Sequence, residues 1–136
     1  MSEISLEALH LAVKSVEDGL SDYTYAQENV PRLVLIARDG VIQRFEVTMD
    51  LTRQLVIRIL KETYAMGEAT AKRGWIRESA QLGIIVDVDA WFGFLSARDR
   101  TSHTYDSVIA DEVFSQTPDF LIHAKNLLEN LPNHVA

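Results

Sequence analysis

The 136-residue chain has no cysteine. That excludes a disulfide framework, a thiolate metal site and a cysteine nucleophile, and it suits a reducing cytosol. Glycine (six) and proline (three) are sparse, so long uninterrupted elements are expected. Apolar runs such as Leu33 to Ala37 and Gly83 to Val86 fall far short of a membrane span. The N-terminal stretch carries Glu3 and Glu7 where a secretory signal would carry Lys or Arg. These absences predict a cytoplasmic protein with no membrane segment.

What is present is the balance of a globular chain: 47% hydrophobic and 24% charged residues in 15.3 kDa, which fits a single domain over 1–136. Thirteen Lys and Arg against twenty Asp and Glu give a net charge of −7. Taken whole, that charge argues against nucleic acid, because phosphate binding needs basic surface. The distribution softens the argument. Residues 1–31 carry −5, residues 32–77 carry +4, residues 78–100 carry −2 and residues 101–136 carry −4. A basic middle lies between acidic flanks, which permits an anionic partner there without requiring one.

Periodicity predicts helices throughout. Leu6, Leu9, Val13, Val16 and Leu20 are spaced 3, 4, 3, 4. Ser2 or Ser5 is the candidate N-cap, with Gly19 and the polar stretch 21–29 ending the helix. From Pro31 to about Ala65 the stripe Ile42, Phe45, Met49, Thr52, Val56, Ile59, with a second row Val41, Leu51, Leu55, predicts one long helix of about 35 residues. Its width suggests an apolar face left over for a dimer contact. Gly67 and Gly74 bracket a loop, and Trp75–Leu82 reads as a short helix closed by Gly83. Asp87 or Asp89 caps a helix through Trp91 and Leu95, Thr104 caps another, and Thr117-Pro118-Asp119 restarts the last. Leu82–Val88 is the one strand candidate, without an obvious partner. The fold class is all-α: an antiparallel up-and-down bundle of about five helices.

Metal chemistry finds little support. His10, His103, His123 and His134 have no i,i+3 or i,i+4 spacing. Asp87-Val88-Asp89 has the Asp-x-Asp form of a nucleotidyltransferase Mg²⁺ site but lacks the preceding Gly-Ser turn, so it reads as a helix cap. His10 falls on the polar side of the first helix, His123 near the last helix and His134 in a frayed tail.

The distinctive feature is the polar break Arg98-Asp99-Arg100-Thr101-Ser102-His103-Thr104-Tyr105 between two apolar helices. On a regular helix Arg98 and His103 stand about 140° apart around the axis. A helix ending near Thr101 would let His103 fold back toward Arg98. Histidine exchanges protons near neutral pH, and arginine offers a fixed fork of donors to phosphate. By residue types alone, the simpler reading remains an interhelical turn whose polar groups satisfy helix ends.

Several stretches carry a resemblance. Arg38-Asp39-Gly40-Val41-Ile42-Gln43-Arg44-Phe45-Glu46 opens the long helix. Trp75-Ile76-Arg77-Glu78-Ser79-Ala80, Gly83-Ile84-Ile85, Asp89-Ala90-Trp91 and the break at 98–106 follow in order. Together, from Leu6 to about Leu131, they resemble the HEPN superfamily, in its branch of nucleotidyltransferase substrate-binding proteins. The most specific piece is Arg-x4-His-x-Tyr, matched by Arg98, His103 and Tyr105. The resemblance implies a helical bundle that forms a homodimer and is encoded beside a minimal nucleotidyltransferase. It implies the toxin of a two-gene toxin–antitoxin pair: a ribonuclease that needs no metal or other cofactor, silenced when the nucleotidyltransferase attaches AMP to the motif tyrosine. Arg98 and His103 would then be catalytic, Asp99 a polar residue orienting one of them, and Tyr105 the modification site. The branch usually carries Asn where this chain has Asp99, and other HEPN ribonucleases accommodate Asp. The older family name implies an alternative, a non-catalytic subunit that binds substrate or nucleotide for a two-component nucleotidyltransferase.

Overall fold

A computed structural model describes residues 4–66 and 73–135. The described residues form α-helices joined by short 3₁₀ turns: α1 (Glu7–Asn29), α2 (Val34–Glu62), α3 (Gly74–Gln81), α4 (Val88–Arg100), α5 (Ser107–Ser115) and α6 (Thr117–Asn130). No strand occurs among them, and Leu82–Val88 is no exception. There the Gly83 N–H closes α3 onto the Ala80 carbonyl at 3.1 Å, the Ile84 N–H bonds the Ser79 carbonyl at 2.8 Å, and Ile84 and Ile85 are buried. Gly83 has φ of 77°, the left-handed value that a glycine reaches without strain. No helix here is long and apolar enough to cross a membrane.

The helix α1 does not stop at Gly19. It runs on to Asn29 because the later turns also find partners: Ala26 is buried, and the Tyr23 ring packs 4.4 Å from that of Phe114. Gly19 instead permits close approach to α2. A Cβ there would stand 3.1 Å from both Val41 and the Arg44 guanidinium. Arg44 bonds the Ser15 carbonyl at 2.9 Å, and Thr48 reaches the Ala12 carbonyl at 3.2 Å, fastening the two long helices together. The N-terminal cap also differs from expectation. Leu6 holds the cap position with no side-chain bond, while the Ser5 hydroxyl accepts from the Glu7 N–H at 3.3 Å. Ser2 lies outside the described residues, as does Gly67; Gly74 is the first residue of α3.

The long helix is divided. Pro31–Leu33 form a 3₁₀ turn, and α2 proper is 29 residues, or about 43 Å at 1.5 Å per residue. It is the central element, touching α1, α3, α4, α5 and α6. Its stripe is used up within the chain: Val41, Ile42, Phe45 and Met49 are buried, and Leu51 and Leu55 are partly so. The expectation that this stripe remains for a dimer contact is therefore not met at Val41, Ile42, Phe45 and Met49, which the chain itself buries, while Leu51 and Leu55 keep partial exposure. The core centres on Phe45, Trp91, Phe94 and Phe120, whose rings meet edge to face at 4.9–6.0 Å, a favoured aromatic geometry.

Caps position the later helices. The Asp87 carboxylate accepts from the Ala90 N–H at 3.1 Å, although Asp87 itself sits at φ 66°. An Asp tolerates that conformation better than most residues. Asp87→Ala should cost about 1 kcal/mol or somewhat more, by losing the cap and keeping the strained backbone. Asp87→Asn should cost less, and urea denaturation of both variants checks the order. The Thr104 cap is replaced by Asp106, which accepts from the N–H groups of Val108 and Ile109 at 2.9 and 3.4 Å. Thr117 is already helical, and its hydroxyl donates to the Phe114 carbonyl at 2.7 Å, so Gln116 alone separates α5 from α6. His134 is not in a frayed tail. Its Nδ1 lies 2.6 Å from the Tyr64 hydroxyl, holding the last 3₁₀ turn to the end of α2.

Candidate functional site

The polar break forms the end of α4, a 3₁₀ turn over Thr101–His103 and the approach to α5. Helix α4 ends where its apolar pattern ends. Thr101 turns its hydroxyl back on the Arg98 carbonyl at 2.8 Å, and Thr104 repeats this on the Thr101 carbonyl at 3.2 Å. The Asp106 N–H then bonds the His103 carbonyl at 3.0 Å. His103 and Tyr105 are thereby held on one short, tightly bonded connection.

Arg98 has partners that local spacing did not reveal. Its Nε donates to one Asp50 oxygen at 2.8 Å and its Nη2 to the other at 3.0 Å, a bidentate fork. Its Nη1 donates to the Thr101 hydroxyl at 3.0 Å and reaches Glu46 at 3.4 Å. The Thr101 hydroxyl is shared with Glu46 as well. Asp50 and Glu46 are four residues apart on α2 and so present both carboxylates to α4 from one face. Hydrogen bonding from Asp50 is the largest cause holding the guanidinium above its ordinary pKa, against partial burial; the charges of Asp50, Glu46 and Asp99 add to it. Arg98 is thus fixed in direction and remains 29% exposed.

The other residues of the motif lie on the same stretch of chain. His103 is exposed, and its ring meets that of Tyr105 at 6.0 Å between centroids, 74° between planes. Tyr105 is 87% exposed, so its hydroxyl is open to a large reagent. Asp99 is exposed beside Arg98 and adds to its electrostatic field. Arg100, its neighbour, pairs with Glu112 of α5. The sequence therefore located the segment, while Glu46, Asp50 and Thr101 escaped it.

A second arginine braces the same connection. Arg38 on α2 is only 6% exposed; it donates to Ser107 at 3.1 Å and to Asp111 at 2.9 Å, and bonds Asp39 at 3.0 Å. It ties the start of α5, and with it the residues just after Tyr105, to the long helix. Among the described residues no group of three or more His, Asp or Glu is placed to hold a metal ion. Asp87 and Asp89 serve the start of α4, where Asp87 is the cap.

Comparison with known proteins agrees with this architecture. Residues 5–133 match the family described as nucleotidyltransferase substrate binding protein like. A Haemophilus influenzae protein named "Probable ribonuclease HepT" is 32% identical over 137 residues, covering 95% of this chain and 92% of its own. A solved Haemophilus influenzae structure, described as the fold of a substrate binding domain of a nucleotidyltransferase, superposes with a TM-score of 0.82. It is 28% identical, over 94% of this chain and 99% of that one. A crystal structure from Thermus thermophilus follows at 0.66, 26% identical over 85% of this chain and 98% of its own. The chain belongs to the nucleotidyltransferase substrate-binding protein family, the HEPN branch its motifs resemble.

Proposed function

We propose that this protein is a HEPN-type endoribonuclease, acting as the toxin of a two-gene pair and neutralised by a partner minimal nucleotidyltransferase. The observations that support the reading are an exposed His103 on a short bonded turn and, five residues earlier at the end of α4, an Arg98 whose direction is fixed. In the reaction His103 takes the proton of a ribose 2′-hydroxyl. The 2′-oxygen attacks the adjacent phosphorus, and the bond to the 5′-oxygen breaks, that oxygen leaving with a proton. Arg98 offers donors to the phosphate as its charge grows, and Asp99 orients the pair. No metal or other cofactor enters these steps. The named relative supports the reading. RNA incubated with the purified protein in EDTA should be cleaved, and the same RNA with His103→Ala should stay intact. Dependence on Mg²⁺ would contradict the proposal.

A second reading has its own support. The Arg98 fork is engaged by Asp50, and the family and one solved relative are described by substrate binding. On this reading the chain is a non-catalytic subunit that holds substrate or nucleotide for the nucleotidyltransferase. Intact RNA in EDTA, together with tight nucleotide binding, would favour it.

The working form in either case is a cytoplasmic homodimer. Its contact is not the buried stripe of α2 but the apolar residues α2 leaves outside, Leu35, Ile36 and Val47. Light scattering at micromolar concentration should report twice 15.3 kDa. Val47→Glu should return the chain to a monomer without unfolding it, because Val47 is exposed. A wild-type monomer would overturn this assembly.

A further inference from the structure

The +4 of residues 32–77 stands out in a chain of net −7, and the fold gathers much of it on one side of the motif. Glu46, Asp50, Gln54, Arg58 and Lys61 follow one another along α2 at steps of four and three, so they lie in one row. The first two hold Arg98. Beyond them the surface changes sign: Arg53, Gln54, Ile57, Arg58, Lys61 and Glu62 line a shallow groove of about 450 Å³. Its lining holds three cations and one acid, Glu62, which is paired with Arg58, so it stays net positive. Lys61 is eleven residues past Asp50, about 16 Å along the helix axis.

A second pair of cations sits toward the same end. Arg98 meets Asp50 and Thr101 meets Glu46, so α4 runs antiparallel to α2, and its start, which follows α3, lies toward the end of α2. There the guanidinium carbons of Arg73 and Arg77 stand 5.2 and 5.3 Å from the centroid of the half-buried Phe92 ring. Phe92 is six residues before Arg98, about 9 Å along α4. Arginines held by an aromatic face keep both charge and a flat stacking plane, which suits unpaired bases as well as phosphates.

We propose that this basic face is the track for single-stranded RNA entering the Arg98–His103 site, with Arg53, Arg58 and Lys61 following the backbone phosphates and Arg73 and Arg77 at the far end. The inference rests on the ribonuclease reading for its substrate. It adds a binding surface and a direction: RNA runs from the motif toward the α2–α3 end of the bundle. It also resolves a difficulty of charge. The motif itself is acidic, with Glu46, Asp50 and Asp99 around Arg98, so the affinity for phosphate must come from cations placed beyond it.

The test is binding, kept apart from cleavage. A fluorescein-labelled 20-nucleotide single-stranded RNA is titrated with the His103→Ala protein, and anisotropy is followed from 50 to 200 mM NaCl. The double variant Lys61→Gln/Arg77→Gln in that background should bind at least about tenfold more weakly at 50 mM. Its salt slope should be shallower by about 1.4, from about 0.7 per lost phosphate contact. A charge-matched double, Lys14→Gln/Lys125→Gln on the α1–α6 face, should bind like its parent; these two lysines line a different groove. Thermal melts confirm that all three proteins are folded. Equal affinity and slope for both doubles would overturn the track, as would a parent that binds no RNA. An RNA affinity that falls as expected, beside a wild type that leaves RNA intact in EDTA, would keep the track and refute the ribonuclease instead. If the Lys61/Arg77 change weakened only the hold on the nucleotidyltransferase, the face would be a protein contact and the proposal would be wrong.

Discussion

His103→Ala should lower RNA cleavage by about 10²–10⁴-fold, the range a positioned acid–base group supplies. The expectation is specific because His103 has no structural duty that the substitution would disturb. It is exposed, and its backbone carbonyl, which bonds the Asp106 N–H, survives the change. Stability should therefore stay within about 0.5 kcal/mol of wild type, as for ordinary surface positions. A large loss of activity at constant stability assigns the ring to chemistry. Arg98→Lys should behave differently. A point charge cannot span both Asp50 oxygens, so activity should fall together with some stability, and the two losses should appear in the same protein. Stopped-time RNA cleavage beside urea denaturation separates these patterns. Wild-type turnover by His103→Ala would remove the histidine from the mechanism.

The second large effect concerns Tyr105→Phe, which should lose all labelling by the partner nucleotidyltransferase. In the proposed transfer the Tyr105 oxygen would attack the α-phosphorus of Mg·ATP. The new O–P bond forms as the bond to the β-phosphate bridge breaks; pyrophosphate leaves, and the phenol proton passes to a base or to water. The geometry favours Tyr105 as acceptor. At 87% exposure, on a connection fixed by Asp106 and by the Arg38 brace, its hydroxyl can enter another protein's active site without local unfolding. An AMP there would place a phosphate and a base beside His103, whose ring is already 6.0 Å from that of Tyr105. Occlusion and like-charge repulsion would then keep RNA phosphate out. Tyr105→Phe should thus remain a ribonuclease that the partner cannot silence. Undiminished label on the Phe variant, read by intact-mass spectrometry, would put the acceptor elsewhere.

The bundle was legible because its signals are local. Spacing of 3 and 4 marked the two long helices, and capping residues marked the later ones, with Asp87 or Asp89 offered for α4, of which Asp87 is the cap. Ends were less legible, since packing overrides weak breakers. Gly19 looks like a terminus in sequence yet serves as a contact point between α1 and α2. Thr117 looks like a cap yet is already inside α6. The site divided in the same way. Arg98, Asp99, His103 and Tyr105 are contiguous and carry a family motif. The groups that fix Arg98 come from 48 and 52 positions away, a distance over which composition and periodicity give no signal. The apolar stripe misled for a related reason: its width showed how much α2 buries, not which neighbour buries it.

The most direct test of the central claim reads the ends of the RNA product. Attack by a 2′-oxygen, with His103 taking its proton, leaves a 2′,3′-cyclic phosphate on one fragment and a 5′-hydroxyl on the other. Mass spectrometry of a defined oligonucleotide cut by the wild-type protein in EDTA should show that pair of ends, and His103→Ala should show neither. Products ending in 3′-hydroxyl and 5′-phosphate, or cleavage appearing only when Mg²⁺ is restored, would contradict the account.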